Sequence, residues 1–294
     1  MNTKEIDSIM KAGKIAKEVK IYANSFIKPK IKLVEIAEKI EEKILTLGGK
    51  IAFPVNLSIN EFTAHFTPEI NEETIASGLL KVDFGVAING FVADNAFSLD
   101  MENNEKNKKL IKTSEEALEK AIEYIEKEKS LGEIGEGIQS IAEKNGFSPI
   151  KNLSGHGIMQ NELHCPPNIP NFNNGNTNKL NNGIYAIEPF ITSGIGEVYD
   201  GKPSGIYELK SIKNVRDLKA RELLKYILEN YGTLPFCSRW IVKKFGTRAL
   251  ISLKNLEEAK ILHHFHQLVE KSKSPVAQSE ATIIIIDRKV EIIT

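Results

Sequence analysis

Only two cysteines, Cys165 and Cys237, occur among the 294 residues. They form no C-x-x-C pair, which argues against a structural zinc site and leaves both read as reduced thiols. Long apolar runs are missing as well. The longest near the C-terminus, Ile283 to Ile286, falls far short of the roughly 20 residues a helix needs to cross a bilayer. The N-terminal stretch MNTKEIDSIMKAGKIAKEVK lacks the apolar centre of a secretory signal, so the expected location is the cytoplasm. Excess charge of one sign is also absent, with 39 Lys plus Arg against 39 Asp plus Glu. A balanced chain has no overall pull toward nucleic acid or anionic membrane, and neither is expected as a partner. The run GEIGEG at 132–137 lacks both the Gly-Lys-Ser/Thr and the preceding strand of a phosphate loop, and reads as tight packing at a helix start.

What is present is an ordinary globular composition, 41% hydrophobic and 27% charged. Apolar residues at helical spacing (Ile6, Ile9, Met10, then Leu33, Ile36, Ile40, Ile44) predict two amphipathic helices, the second closed by Gly48-Gly49. Extended segments are expected around 52–59 and 80–99, helices over 106–127 and 132–145, and extended chain again near Ile150 and over 183–191. The Asn-rich stretch 168–182 reads as a polar loop. From about 215 to 264 the pattern is helical, and SEATIIII with KVEIIT predicts a closing strand pair. His263, His264 and His266 are read as the solvated end of a helix, and the lysines between 106 and 112 as a solvated helix face whose alternative is a ribosome contact. The whole reads as α+β with a helical insertion between strands of one sheet.

Carboxylates and histidines inside extended segments carry the chemistry. In KVDFGVAINGFVADNAFSLD, Asn89-Gly90 is a strong signal for a two-residue hairpin turn. Counting outward, Asp83 faces Ala96 and Gly85 faces Asp94, so the two aspartates are same-face diagonal neighbours with backbones about 7–8 Å apart. Two carboxylates so aimed repel unless protonated or bound to a cation. His156 lies between glycines that allow close approach, and His164 follows in the same segment. Glu188 stands in the apolar run YAIEPF and Glu280 in VAQSEATIIII, where an unpaired buried carboxylate is costly. Each segment alone also fits a blander reading: a solvated sheet face for the aspartates, a structural histidine, an edge-strand or salt-bridged glutamate. Together, four carboxylates and one imidazole would neutralise two divalent cations, and the oxygen-rich set favours Mn, Fe, Co or Zn.

The ordered set Asp83, Asp94, His156, Glu188 and Glu280 resembles the five metal ligands of the methionine aminopeptidase, aminopeptidase P and prolidase superfamily. The surrounding words agree: FPVNLSINEFTAHFTP, VDFGVAINGFVADNAFS, NLSGHGI, YAIEPF and TLPFCSRW. The resemblance implies the pita-bread fold, two related α+β halves around a two-metal site. Asp83 comes too early for the extra N-terminal domain of prolidases. The long stretch between Glu188 and Glu280 resembles the insertion of type 2 methionine aminopeptidases, and the lack of a long charged N-terminal extension resembles their archaeal form. The expected division is a catalytic domain of residues 1–195 and 265–294 with an insertion subdomain of 196–264.

The resemblance further implies that Asp94 and Glu280 bridge two metals, that Asp83 chelates one, and that His156 and Glu188 bind the other. Glu188 would move a proton from water to the leaving amine. His65 and His164 would hydrogen-bond the peptide. Phe53, Leu163, Pro235 and Phe265 would line an apolar methionine pocket. The implied activity is removal of the initiator methionine from nascent polypeptides when the second residue is small, by a monomer. A dimetal exopeptidase of different preference and a non-catalytic pita-bread binding protein stand as alternatives, although such binding proteins have lost ligands and all five are present here. The chain departs from the family at Ala281 and Ala87, where histidines are common, and at Phe265-His266-Gln267, where a Tyr-Pro-Pro stretch is typical.

Overall fold

The computed structural model describes all 294 residues. Helices α1 (Thr3–Phe26) and α2 (Leu33–Thr46) come first. Next are strands β1 (Lys50–Ile59), β2 (Phe62–Ala64), β3 (Leu79–Ile88) and β4 (Phe91–Asp100). Helices α3 (Glu105–Glu126) and α4 (Leu131–Lys144) lead to β5 (Ser148–Pro149), β6 (Ser154–Met159), β7 (Glu162–Pro170), β8 (Gly183–Ile187) and β9 (Phe190–Thr192). Strand β10 (Val198–Leu209) runs out to α5 (Leu218–Asn230), β11 (Phe236–Cys237), α6 (Ser238–Phe245) and α7 (Ala249–Glu258). Strand β12 (Leu262–Glu270) returns, and β13 (Val276–Gln278), β14 (Ala281–Ile286) and β15 (Lys289–Ile292) close the chain.

Three of the four hydrophobic cores follow from this order. α1 and α2 cover the sheet β1-β3-β4, with Ile9, Val19, Ile36 and Ile40 against Val82, Phe84 and Val92. α3 and α4 cover the sheet β15-β14-β8-β6-β7, with Leu110, Ile134 and Ile138 against Ile187, Ile283 and Ile285. The two α+β halves of the pita-bread fold are therefore both present; sequence periodicity placed α3 and α4 within a residue and the end of α2 at the glycine pair. Gly48, at φ 83°, closes α2 in a Schellman motif, with Gly49 N donating to Ile44 O at 3.0 Å.

The third core lies within residues 207–262. Leu223, Leu224 and Ile227 of α5 pack with Leu253 and Leu256 of α7 over Tyr207, Phe236 and Leu262. β10 and β12 pair antiparallel and join β11 and β2 in one sheet, order β11-β10-β12-β2. The expected boundary after residue 264 falls inside β12, which pairs with β10 on one side and with β2 on the other. The histidines at 263, 264 and 266 lie on β12 and not at a helix end. Lys260, at φ 55°, ends the helical pattern in a left-handed turn without the usual glycine, so nothing in the sequence marks the stop. His264 stacks on Tyr207 with ring centroids 4.0 Å apart, and its Nε2 accepts from Gly205 N at 3.0 Å.

The Asn-rich stretch begins as strand, because β7 continues to Pro170. Beyond it, the loop docks on the start of α4: Leu131 N donates to Asn178 O and Gly132 N to Asn176 O, both at 2.8 Å. GEIGEG is packing, as expected from its sequence. Ser130 and Glu133 form a capping box, and Gly135 lets α4 approach the backbone at 170–172. A Cβ on Gly135 would stand 2.1 Å from Phe172 O and 2.9 Å from Pro170 O. Gly135→Ala is therefore expected to destabilise the fold by about 2 kcal/mol, the range typical of overpacking against backbone. Urea unfolding followed by circular dichroism would measure it, and an unchanged midpoint would refute the close packing.

Candidate metal centre

The hairpin β3–β4 turns at Asn89 (φ 52°) and Gly90 (φ 83°), the two positive values of a type I′ turn. Its register is the one counted from sequence: Ile88 opposite Phe91, Asp83 opposite Ala96, Gly85 opposite Asp94. The aspartates thus emerge on one face of the first sheet. His156 lies on β6 of the second sheet, opposite Ala186, which in turn pairs with Thr282. Glu188 and Glu280 are not inside strands. Each occupies the break where the chain passes between the five-stranded sheet and the small sheet β13-β9-β5: Glu188 between β8 and β9, Glu280 between β13 and β14. A strand break frees a side chain from strict alternation, and so both glutamates can face the aspartates.

Cross-links hold β4 against β13 and β14 at this point. Thr282 Oγ1 accepts from Asp94 N at 2.7 Å and donates to Asp94 O at 2.9 Å. Glu280 N donates to Ala96 O at 2.9 Å, and Asn95 Nδ2 to Glu280 O at 2.9 Å. Ser98 Oγ donates to Gln278 O and accepts from Gln278 N. These bonds fix the backbone that carries the carboxylates.

The five side chains meet. One ligating atom each from Asp94, His156 and Glu280 lie within 4.8 Å of one another. His156 Nε2 is 3.9 Å from Asp94 Oδ2 and 3.7 Å from Glu188 Oε1. Asp83 and all four of these line one cavity of about 260 Å³. His156 Nδ1 makes a 3.1 Å bond to the carbonyl of Gly157, so it carries the proton and Nε2 presents a lone pair to the carboxylates. Burial holds the ring neutral. A lone pair facing two carboxylates at these distances is repulsive unless something positive lies between them.

Electrostatics point the same way. Burial pushes the Asp83 carboxyl up to about 7, with a Gln278 hydrogen bond opposing. Burial and then the charge of Asp83 raise Asp94 well above the carboxylate range. Glu188 and Glu280 are raised by burial and by the other acids. Asp83 Oδ1 and Asp94 Oδ1 are buried with no hydrogen-bond partner. Orphaned anionic oxygens beside a neutral imidazole are the donor set of a hard or borderline divalent cation, and the residues fit such an ion.

Further residues shape the cavity. His65 is held at φ 59°, its Nδ1 bonded to His266 O at 3.2 Å and its ring edge-on to Phe265 at 5.2 Å. His164 meets His156 edge-on at 4.5 Å; the residue is exposed to solvent, yet the cleft around its ring, then His156, His65 and Lys210, keep it neutral, pushed down to about 3. Phe53, Leu163, Pro235 and Phe265 all line the cavity. Sequence reading missed Ile206 and Leu268, which reach it from β10 and β12, and Asn56, cross-strand partner of Asp83. It also missed Gln278, whose Nε2 lies 3.5 Å from Glu188 Oε2. The Gln-x-Glu spacing was the available signal. Ala281 is buried and opens β14 opposite Ile187.

Metal removal should therefore couple to pH. In metal-free protein the folded Asp83 holds its proton to about pH 7, whereas an unfolded aspartate releases it near 3.8. That stabilisation is complete below the unfolded value and lost as pH rises through the folded one. Chelated protein should melt lower at pH 8 than at pH 5 by more than Asp83→Asn does, and added Mn²⁺ should restore the pH 8 value in wild type. Equal pH slopes in the two proteins would contradict the buried cluster.

The sequence pattern of metallopeptidase family M24 matches residues 7–217. The chain is similar to the methionine aminopeptidase of Methanocaldococcus jannaschii, 39% identical over all of both chains. It is 40% identical to that of Archaeoglobus fulgidus, covering 96% of this chain and 95% of the relative. Among solved structures, a thermophilic Arx1 superposes with TM-score 0.85 at 14% identity, covering 100% of this chain and 91% of that one. The methionine aminopeptidase of Rickettsia prowazekii gives 0.72 at 22%, covering 100% and 98%. The structural likenesses at these identities show the fold.

Proposed function

The chain belongs to metallopeptidase family M24, and from that premise we propose that it is a two-metal enzyme of the archaeal type 2 form that trims the initiator methionine from newly made polypeptides. It is an enzyme, a metal-dependent exopeptidase that removes an N-terminal methionine. The observation that carries the mechanism is the meeting of four carboxylates and a neutral imidazole in one cavity that apolar side chains, among them Phe53, Leu163, Ile206 and Phe265, also line. No helix is long and apolar enough to cross a membrane. We read the enzyme as a cytoplasmic monomer that meets nascent chains, with the Lys106–Lys112 face as the candidate ribosome contact.

Asp83, Asp94, His156, Glu188 and Glu280 would hold two divalent ions, Co, Mn, Fe or Zn. Bound there, the ions would acidify a water and polarise the scissile carbonyl. The protein's own groups do the rest. Glu188, oriented by the Gln278 amide, takes the proton of the attacking water and returns it to the leaving amine. His164 is neutral and has no protein partner, so it can donate an N–H to the peptide carbonyl as charge develops there. His65 differs: with Nδ1–H committed to His266 O, Nε2 is an acceptor, suited to a peptide N–H. Phe53, Leu163, Pro235 and Phe265 would take the methionine side chain, excluding water around an unbranched thioether. The division into a catalytic body and an insertion beginning near residue 196 gives the insertion a part in this pocket, through Ile206 and Pro235.

Hydrolysis of Met-Ala-Ser in the presence of Mn²⁺ or Co²⁺ tests the reading, with Met-Lys-Ser and Leu-Ala-Ser expected to be poor substrates. Asp94→Ala should abolish turnover and metal retention together. Wild-type turnover in that variant would sink the two-metal assignment. The resemblance to type 2 methionine aminopeptidases further implies covalent capture of a fumagillin-type epoxide at His65, for which the uncommitted Nε2 is suited: the N–C bond forms, the C–O bond of the ring opens, and the alkoxide takes a proton. Peptide mapping should locate the adduct on His65, and an adduct elsewhere would contradict the orientation of that ring.

A further inference from the structure

A second knot of buried charge lies outside the carboxylate cluster. Arg239, on α6, is 1% exposed and Glu41, on α2, is 6% exposed. The guanidinium grips the carboxylate with two parallel bonds, Nη2 to Oε1 at 2.6 Å and Nη1 to Oε2 at 2.8 Å. Trp240 Nε1 adds a third donor to Oε2 at 3.0 Å. Burying such a pair returns little net stability, because desolvation offsets most of the attraction, and apolar packing would serve a core as well. Its worth lies in what it connects.

Three chain segments far apart in sequence converge on it. Arg239 Nε donates to Pro68 O at 3.0 Å, at the end of the segment that carries His65. Glu41 Oε1 accepts from Val55 N at 3.5 Å. Val55 needs this partner because the pairing of β1 with β3 is irregular between Phe53 and Asn56. Its carbonyl leaves the ladder too, accepting from Thr67 Oγ1 at 2.9 Å. Arg239 itself stands four residues after Pro235. Each segment supplies one wall of the cavity: Phe53 and Pro54 from β1, His65 from the segment after β2, Pro235 from the insertion. Arg239 and Glu41 do not themselves line it.

We propose that Arg239 and Glu41 are positioning residues that fix the width of the methionine pocket by bracing its three walls against one another across the boundary between insertion and catalytic body. The proposal rests on the aminopeptidase reading and deepens it to specificity. A pocket that selects an unbranched side chain by shape needs walls that do not drift, and the strained His65 backbone needs a fixed neighbour.

The test is steady-state kinetics of Glu41→Met/Arg239→Met, which fills the space without charge, beside the near-isosteric Glu41→Gln. Metal stoichiometry is measured on each variant. In the double variant KM for Met-Ala-Ser should rise at least about tenfold while kcat stays within about threefold, and the preference for Met-Ala-Ser over Leu-Ala-Ser should fall about tenfold. Metal stoichiometry should not change. Glu41→Gln should move the same quantities in the same direction by less, and it carries the test if the double variant does not fold. Wild-type KM and preference in a folded variant, with only the melting temperature altered, would overturn the proposal by reducing the pair to a stability element. Loss of metal and kcat at unchanged KM would overturn it by placing the effect at the ligands. A wild-type protein inert toward every Met-initiated peptide would overturn the aminopeptidase reading and this proposal with it.

Discussion

Four carboxylates, Asp94 and Glu280 buried and Asp83 and Glu188 half-buried, come together with little positive charge from the protein to balance them. Two like charges about 4 Å apart repel by about 4 kcal/mol even at an effective dielectric of about 20. Lys20 is the smallest influence on Glu280. Lys81 is 1% exposed and two residues from Asp83, yet its ammonium donates to the carbonyls of Asn60 and Val276. The cluster must therefore hold protons or cations. Everything nearby keeps the acids in place against their repulsion.

That demand explains how the two halves are joined. Asp83 and Asp94 come from the first half, His156, Glu188 and Glu280 from the second, and the seam between them is polar. Thr282, Asn95, Ser98 and backbone groups link β4 to β13 and β14. Hydrogen bonds are directional where apolar packing is not, so a polar seam fixes the angle at which the carboxylates meet. The segment of residues 198–270 adds the third element. It has its own core, yet its sheet takes in β2, and Ile206 and Pro235 reach the cavity.

Local signals in the sequence carried far. Asn89-Gly90 fixed the β3–β4 register and with it the shared face of Asp83 and Asp94. Helical periodicity placed α1 to α4, and five ligand-type residues in separate motifs met around one cavity. The errors lie where the deciding contact is distant or unusual. Lys260 stops a helix in a conformation normally left to glycine, so β12 and its histidines read as helix. The strand breaks at Glu188 and Glu280 depend on where each chain changes sheets, a tertiary event with no local mark. Gln278 and Asn56 are ordinary polar residues until the fold brings them to the cavity, and the partner of Arg239 lies 198 residues away.

The central claim is that these five residues hold two divalent ions. Anomalous diffraction at the manganese edge, from crystals grown with Mn²⁺, tests it most directly. Two peaks about 3.5–4 Å apart are predicted, bounded by Asp83, Asp94, His156, Glu188 and Glu280. A cavity without anomalous density, or one whose ions are held by other side chains, would contradict the account.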